Sequence, residues 1–429
     1  MENEGLNKMD DAPSTRHHPL PVKLVNGAVR LMNVFGRGNV DLSEDGLLAA
    51  AREQTGLERF GDEGFLPGLR VLLQALESEA RLNPFGRLHA GAEITASLKN
   101  RLWADACFEA HPEILQRKIS APIVIVGPVR SGTTRLHRML AADSRLAHLK
   151  AWEGFNPAPR SGERDSDGAV RRAEVEKFLG LGRRLNPGAF TAHPMEADWA
   201  EEELLLLNHS FSGLSPLGLY HIPSYRDWFL GGDRTPAYEY MAKMMKLVSW
   251  SRGDPEDKRW VMKTPQYMLD LDTLVKVFPD AKPVFTHRDP LKTVASTLSL
   301  MWNFAVHNTD LPLRKPVRDT WLGLCEEMAR RSMAVREALP TSRQFDVHYE
   351  DMNRDWRGVM RKLYDFAALE FSAEAENALG AWLAESEREG RHRGHRYALE
   401  DFGLSRGEVD ARMMFYRERY GIPYEDGKA

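Results

Sequence analysis

Short strand-like runs alternate with longer helical segments over the second part of the chain. Residues 123–126, 260–262, 283–286 and 344–349 form the runs, and each leads into a segment with apolar residues at helical spacing. Leu136, Met139 and Leu140 illustrate that spacing after the first run. Unbroken apolar runs are typical of strands that are buried on both faces of a parallel sheet. The pattern predicts an α/β fold, a parallel sheet flanked by helices.

The first part of the chain shows helical periodicity only. Apolar residues recur three and four positions apart between residues 43 and 111, and Ser43 is placed to cap the first of these helices. We therefore expect an N-terminal helical layer packed on the main domain. The predicted organisation is a flexible tail over residues 1–20, a helical region over 21–118 and the main domain over 119–429.

Two further segments lie between the predicted strands. Residues 160–188 are charged and rich in glycine, which indicates an exposed excursion with one short helix. Residues 220–252 are rich in aromatic residues and methionine. A core stripe is the default interpretation of the second segment, and an apolar acceptor pocket is the alternative.

Composition narrows the class of protein. Apolar residues make up 42% of the 429 residues, charged residues 28%, and the net charge is −4, which argues against broad nucleic-acid binding. No apolar run approaches the length of a membrane span, and residues 1–16 lack the apolar region of a secretory signal. Cys107 and Cys325 are the only cysteines and have no metal-ligand spacing. We expect a cytoplasmic protein without a metal site.

A glycine-bounded loop follows the first strand. Gly127 and Gly132 have the spacing of a phosphate-binding P-loop, but Thr133 stands where the lysine of that motif belongs. Glycines let backbone N–H groups curl around an anion, and the next helix adds its positive end. The lysine of the motif is missing, and no second strand that ends in a magnesium-binding aspartate is evident. The loop is therefore poorly suited to a triphosphate with magnesium. Arg130, inside the loop, can stay beside a bound 5′-phosphate.

A second anchor is predicted after the third strand. Arg288 ends that strand and Ser296 lies in the helix that follows. Ligands of parallel α/β sheets bind at the carboxyl ends of the strands, so Arg288 is placed for a phosphate contact. The alternative is a structural ion pair between Arg288 and a nearby carboxylate.

Together these segments resemble the sulfotransferase family, in its bacterial P-loop-type branch. The stretch Arg130, Ser131, Gly132, Thr133 and Thr134 is similar to the family's 5′-phosphosulfate loop. Arg288 and Ser296 resemble its 3′-phosphate pair, and the stretches 348–352 and 395–404 resemble later motifs of the same branch. The resemblance covers residues 85–420. It implies 3′-phosphoadenosine 5′-phosphosulfate (PAPS) as the donor and a hydroxyl or similar group of a small or lipid-like molecule as the acceptor.

The resemblance also implies a catalytic set. Arg130 would stabilise the charge that develops on the sulfonate, and Lys263 would contact the sulfonate or the leaving oxygen. Relatives carry a histidine after the Lys-Thr-Pro stretch where this chain has Tyr267, a poor base near neutral pH. Among Glu201, Glu202 and Glu203, which are expected to open a helix, the resemblance favours Glu202 as the general base.

Alternatives to these assignments remain. The three glutamates can instead interact with a helix dipole, and His209 is a second candidate base. The late basic segment contains Arg393, which the resemblance suggests as a further 3′-phosphate contact; a solvated loop is the alternative. At the level of function, a P-loop kinase or hydrolase and a non-catalytic nucleotide-binding relative are the other hypotheses.

Overall fold

The structure, a computed structural model, describes residues 14–34, 40–160, 162, 164, 168–389 and 397–425. Within these ranges a five-stranded sheet has the order β2-β3-β1-β4-β5, and all its pairings are parallel. The strands are β1 (Ile123–Val126), β2 (Leu146–Ala147), β3 (Arg259–Lys263), β4 (Lys282–His287) and β5 (Phe345–His348). The predicted parallel α/β sheet is confirmed, and the two-residue edge strand β2 is an addition to it.

Helices cover both sides of this sheet. In the first half of the chain they are α1 (Leu20–Val34), α2 (Glu44–Thr55), α3 (Leu66–Ser78), α4 (Pro84–Ala110), α5 (Glu113–Gln116), α6 (Thr133–Leu140), α7 (Ala151–Phe155), α8 (Ala169–Leu185), α9 (Pro187–Ala192) and α10 (Leu204–Asn208). In the second half they are α11 (Ser215–Leu219), α12 (Pro223–Gly231), α13 (Thr235–Arg252), α14 (Leu271–Val277), α15 (Pro290–Ala305), α16 (Arg314–Ala338), α17 (Tyr349–Arg354), α18 (Trp356–Phe366), α19 (Ala373–Arg388) and α20 (Arg406–Tyr420). No helix in the described ranges combines the length and apolar character needed to cross a membrane.

The central strand β1 shows why the sheet is covered on both faces. Val124 and Val126 belong to a large core that also contains the apolar residues of α2, α3 and α4. Ile123 and Ile125, which point to the opposite face, belong to a second core with side chains of α6 and α18. Successive side chains of a strand alternate between its faces, so an all-apolar strand needs a layer on each side. The N-terminal helical layer is thus continuous with one of the two cores.

The beginning of the described chain differs from the prediction. Residues 1–20 were expected to form a flexible tail, but residues 14–20 pack on the protein. His18 is buried, and its Nε2 lies 3.0 Å from the carbonyl oxygen of Val306 and 3.1 Å from that of Thr309. Ser14 bonds to Leu311 through both its backbone and its hydroxyl group. These partners lie almost three hundred residues away, which is why local composition gave no sign of them.

Two internal segments, 160–188 and 220–252, differ in how well they match their predicted structures. The charged stretch 160–188 contains α8, a helix of 17 residues rather than a short one, and Arg171, Val175 and Leu179 on it are buried. The prediction of a merely exposed excursion was therefore wrong for this helix. The aromatic stretch 220–252 forms α12 and α13, and its large side chains are core residues, as the default interpretation predicted.

Candidate active site

The loop between β1 and α6 curls tightly at the carboxyl end of the central strand. A Cβ atom on Gly127 would lie 2.0 Å from the Thr286 hydroxyl oxygen on β4, so only glycine fits there. Arg130 has a φ of 71° and Gly132 a φ of 92°, both in the left-handed region. A non-glycine residue seldom adopts this conformation, and such positions cluster at functional sites. The turn directs the loop into the start of α6, whose positive end favours an anion.

Arg130 places a guanidinium group against this loop. Its Nε donates to the Ser296 hydroxyl at 3.0 Å and its Nη1 to the carbonyl of Ala192 at 2.8 Å. In the described part of the chain no carboxylate pairs with it, and burial lowers its pKa. A partly desolvated cation whose described partners are neutral can attract an anionic ligand.

Arg288 lies beside Arg130, although 158 residues separate them in sequence. Its Nη1 donates to the Arg130 carbonyl oxygen at 3.0 Å, and its guanidinium lies over the Tyr349 ring. Its Nε and Nη2 hold the carboxylate of Glu425 at 2.6 and 3.0 Å. The structure thus brings Arg288, Ser296 and the loop together. It also supplies the carboxylate partner that was left open as an alternative.

The hydroxyl groups of the loop have different partners. Ser131 Oγ lies 2.6 Å from Thr286 Oγ1 and donates to the Pro128 carbonyl oxygen at 2.8 Å, so this side chain fastens the loop to β4. Thr134 Oγ1 accepts a hydrogen bond from Lys263 Nζ at 3.2 Å. Thr133 and Thr134 line the cavity described below.

Lys263 connects the loop with the three glutamates. Its side chain is buried, and Nζ lies 2.5 Å from Glu202 Oε1. Glu202 is 15% exposed and lines the cavity. The helix α10 begins only at Leu204, so the glutamates precede it and do not form its first turn as predicted. Glu201 and Glu202 lie outside regular structure and Glu203 caps the helix, and the three carboxylates contact different partners.

The neighbours of Glu202 are engaged elsewhere. Glu201 Oε2 lies 3.5 Å from Arg138 Nη2 and 3.3 Å from His193 Nε2. Burial opposes ionisation of Glu201, but His193, Lys263 and Arg138 together hold its pKa below the usual range. Burial raises the pKa of Glu203 to about 8, although hydrogen bonds from the backbone N–H of Lys263 and the hydroxyl of Tyr267 act in the opposite direction. Glu202 is the carboxylate that combines access to the cavity with contact to Lys263.

Neither Tyr267, predicted to be a poor base, nor His209, the second candidate base, lines the cavity. Burial raises the pKa of Tyr267 well above its usual value, and its hydroxyl donates to Glu203 Oε2 at 3.1 Å. His209 is buried with its Nε2 3.1 Å from the Gly154 carbonyl oxygen, and burial lowers its pKa to about 4. Both side chains have structural partners.

His193 is a cavity residue that the sequence did not single out. It lines the cavity beside Glu201 and Glu202, next to Ala192, whose carbonyl holds Arg130. Its only sequence signal was its place eight residues before Glu201, a spacing that identifies no motif on its own.

A single cavity of about 1050 Å³ joins these groups to an apolar chamber. At one end it is lined by Arg130, Gly132, Thr133, Thr134 and Arg288. The rest is mostly apolar, with Val25, Phe85, Leu88, Phe155, Phe178, Leu181, Leu185, Phe190, Leu204, Leu205, Leu300, Met301, Phe304 and Trp321. These side chains come from α1, α4, α7, α8, α10, α15 and α16, with Phe190 from α9. The alternative that residues 220–252 form an acceptor pocket is not supported, because the chamber has other walls.

Arg393 lies outside the described residues. Within the described ranges, no group of three or more His, Cys, Asp and Glu side chains has a metal-binding arrangement.

Comparison with known proteins gives a consistent result. A family model described as "Sulfotransferase family" matches residues 122–373, more than half of the chain. The omega-hydroxy-beta-dihydromenaquinone-9 sulfotransferases Stf3 of Mycobacterium bovis and Mycobacterium tuberculosis are 23% identical to this chain over 278 residues. That match covers 58% of this chain and 63% of each relative, so the chain spans less than two thirds of their length.

Solved structures extend the similarity over most of the fold. The crystal structure of sulfotransferase STF1 from Mycobacterium tuberculosis H37Rv is 29% identical, with a TM-score of 0.74 over 86% of this chain and 98% of that one. Sulfotransferase STF9 from Mycobacterium avium is 24% identical, with a TM-score of 0.78 over 90% of this chain and 99% of that one, and it shows the same fold.

Proposed function

This chain belongs to the sulfotransferase family, and we propose that it transfers a sulfonate group from PAPS to a hydroxyl of an apolar, lipid-like molecule. The observation that carries the proposal is the single cavity that contains the anion-binding loop at one end and an apolar chamber at the other. Glu202 lines this cavity, and the buried Lys263 behind it contacts both Glu202 and Thr134. Donor and acceptor sites that meet at an acid–base pair suit a direct transfer between two bound substrates.

Several features of the loop and of Arg288 support PAPS as the donor. PAPS carries phosphate groups at both the 5′ and the 3′ position of its ribose. Arg130, the loop amides and the start of α6 would hold the 5′ end, and Arg288 with Ser296 would hold the 3′-phosphate. A phosphate at Arg288 would replace Glu425, which accepts from Nε and Nη2, two of the three donor nitrogens of Arg288. Bidentate contact of arginine with phosphate is geometrically similar to its contact with a carboxylate.

The chain's own residues define the chemistry of the transfer. Bound PAPS would supply the sulfonate, with adenosine 3′,5′-bisphosphate (PAP) as the leaving group. Glu202 would accept the proton of the acceptor hydroxyl as its oxygen forms the new bond to sulfur. Lys263 would stabilise the negative charge on the oxygen that leaves sulfur, and Arg130 the charge on the sulfonate oxygens. Transfer of this kind depends mainly on positioning and electrostatic stabilisation.

The chamber supports an apolar acceptor. Its walls are aliphatic and aromatic side chains, and it belongs to a cavity whose total volume, loop end included, is about 1050 Å³. The Stf3 relatives are named for a menaquinone-derived substrate. We propose an alcohol of comparable apolar character for this chain.

Replacement of Glu202 tests the assignment of the base. Glu202→Gln keeps an oxygen for Lys263 but cannot take the acceptor proton. We expect acceptor-dependent PAP release, measured with a panel of long-chain and isoprenoid alcohols, to fall about a hundredfold or more. PAP binding, measured by calorimetry, should not change.

Glu196→Gln is the matched control. Glu196 lies in the same segment, is 50% exposed and pairs with Arg183 at the surface. It should keep full activity. Full activity of Glu202→Gln would remove Glu202 from the mechanism and direct attention to His193.

A further inference from the structure

The apolar chamber opens at the surface through exposed apolar side chains. Leu88 on α4 is 39% exposed, and Phe178 and Leu181 on α8 are 44% and 55% exposed. All three also line the cavity. A residue that both lines a cavity and is exposed to solvent marks the opening of that cavity, so the mouth lies between α4 and α8.

Helix α1 extends this opening. Pro21 and Val25 line the cavity, and their neighbours Leu20 and Leu24 are 68% and 63% exposed. The helix is fixed in place from its other side, where Asn26 Oδ1 accepts the backbone N–H of Phe85 at 2.7 Å. We call the exposed side chains Leu20, Leu24, Leu88, Phe178 and Leu181 the rim. Leucine and phenylalanine side chains concentrated in this way around a cavity mouth indicate an interaction surface.

The charges beside the rim indicate what the surface contacts. Lys23 precedes Leu24, Lys177 precedes Phe178, and Arg184 follows Leu181 by three residues; all three basic side chains are exposed. Apolar side chains flanked by basic ones are typical of helices that lie in the interface of an anionic bilayer. A bilayer also explains why the rim surrounds a mouth, because apolar alcohols are concentrated in lipid and scarce in water.

We propose that the rim docks on the surface of an anionic lipid bilayer, so that an apolar acceptor passes from the bilayer into the chamber. The docking depends only on the rim and its basic neighbours. The passage of an acceptor rests on the proposed function, because it assigns the chamber to the acceptor.

Vesicle flotation tests the docking. The full chain is mixed with vesicles of phosphatidylcholine and phosphatidylglycerol, and with vesicles of phosphatidylcholine alone. We expect the wild type to float with the anionic vesicles, and less at high salt. The double variant Leu24→Glu, Leu181→Glu should partition at least about tenfold more weakly, because two apolar anchors are replaced by charges that anionic lipid repels.

Leu115→Glu is the matched control. Leu115 on α5 is 39% exposed and is not a cavity residue. This variant should float like the wild type. Thermal stabilisation by PAP, measured for each variant, shows that the fold is intact, and it tests the donor site separately from the rim.

Three results would overturn the docking proposal. The first is a wild type that does not float with anionic vesicles. The second is a double variant that floats equally well. The third is a dimer in light scattering that the double variant converts to a monomer without any vesicle binding, which would assign the rim to a second copy of the chain. A chain that floats but is not stabilised by PAP would support the rim and count against the proposed function.

Discussion

The two ends of the cavity are built in different ways. At the donor end, Arg130 and Gly132 lie in one short loop, Thr134 lies in the first turn of α6, and Arg288 follows an adjacent strand. At the acceptor end the walls come from α1, α4, α7, α8, α9, α10, α15 and α16. The donor end has a fixed loop backbone and two arginine side chains, Arg130 and Arg288, whereas the shape of the chamber depends only on how apolar side chains pack. The donor should therefore be bound through a few strong contacts and the acceptor through many weak ones.

Among the changes that separate the two ends, replacement of Arg130 should alter ligand binding most, because no carboxylate in the described part of the chain compensates its guanidinium. Arg130→Ala should weaken PAP binding by about 2 kcal/mol or more, about thirtyfold, since a charge-assisted contact is lost. Calorimetric titration measures this change. Arg354→Ala is the control, because the Arg354 side chain is 74% exposed and lies 3.5 Å from Asp351. Equal PAP binding by wild type and Arg130→Ala would contradict the claim that the donor is bound through a few strong contacts.

A smaller effect is expected in the chamber. Leu204 is half-buried and lines the cavity beside Glu202. Leu204→Trp should fill part of the chamber and lower kcat/KM for a long apolar alcohol about tenfold, because one added ring removes only some of many weak contacts. PAP affinity should stay the same.

The control for this change is Leu66→Trp, a half-buried leucine on α3 outside the cavity. It should leave kcat/KM unaltered. A loss of PAP affinity in Leu204→Trp would mean that the two ends do not act as separate binding regions.

The smallest effect concerns Glu425, which occupies Arg288. Glu425→Gln removes a negative charge that a phosphate has to displace, so PAP affinity should rise about fivefold at low salt, equivalent to about 1 kcal/mol. The gain should shrink as salt screens the pair. Glu418→Gln on the exposed side of α20 is the control. Weaker binding by Glu425→Gln would show that Glu425 helps to hold the ligand.

The same contrast explains what the sequence could predict. The run at β1 and the spacing of Gly127 and Gly132 are local patterns, so the sheet, the loop and the place of Arg288 followed from them. The chamber is a product of packing between distant helices, and no local pattern encodes it. The pairing of Arg288 with Glu425 spans 137 residues, and the role of α8 was hidden because its charged face dominates its composition.

The three glutamates Glu201, Glu202 and Glu203 also show that contacts between distant residues cannot be read from the sequence. Sequence indicated that one of three adjacent carboxylates is placed for catalysis. The resemblance favoured Glu202, and the structure shows how the three differ: Glu201 is buried and paired to Arg138, Glu203 is buried against Tyr267, and Glu202 is 15% exposed in the cavity.

The central claim, that the loop holds a bisphosphate nucleotide, is tested most directly by calorimetric titration of the wild type with two ligands. One is PAP in the presence of a chelator, and the other is ATP with magnesium. We predict saturable binding of one PAP per chain without metal, and binding of ATP–magnesium at least about tenfold weaker, because Thr133 replaces the lysine that contacts a triphosphate. Tight binding of ATP–magnesium together with no detectable binding of PAP would contradict the account.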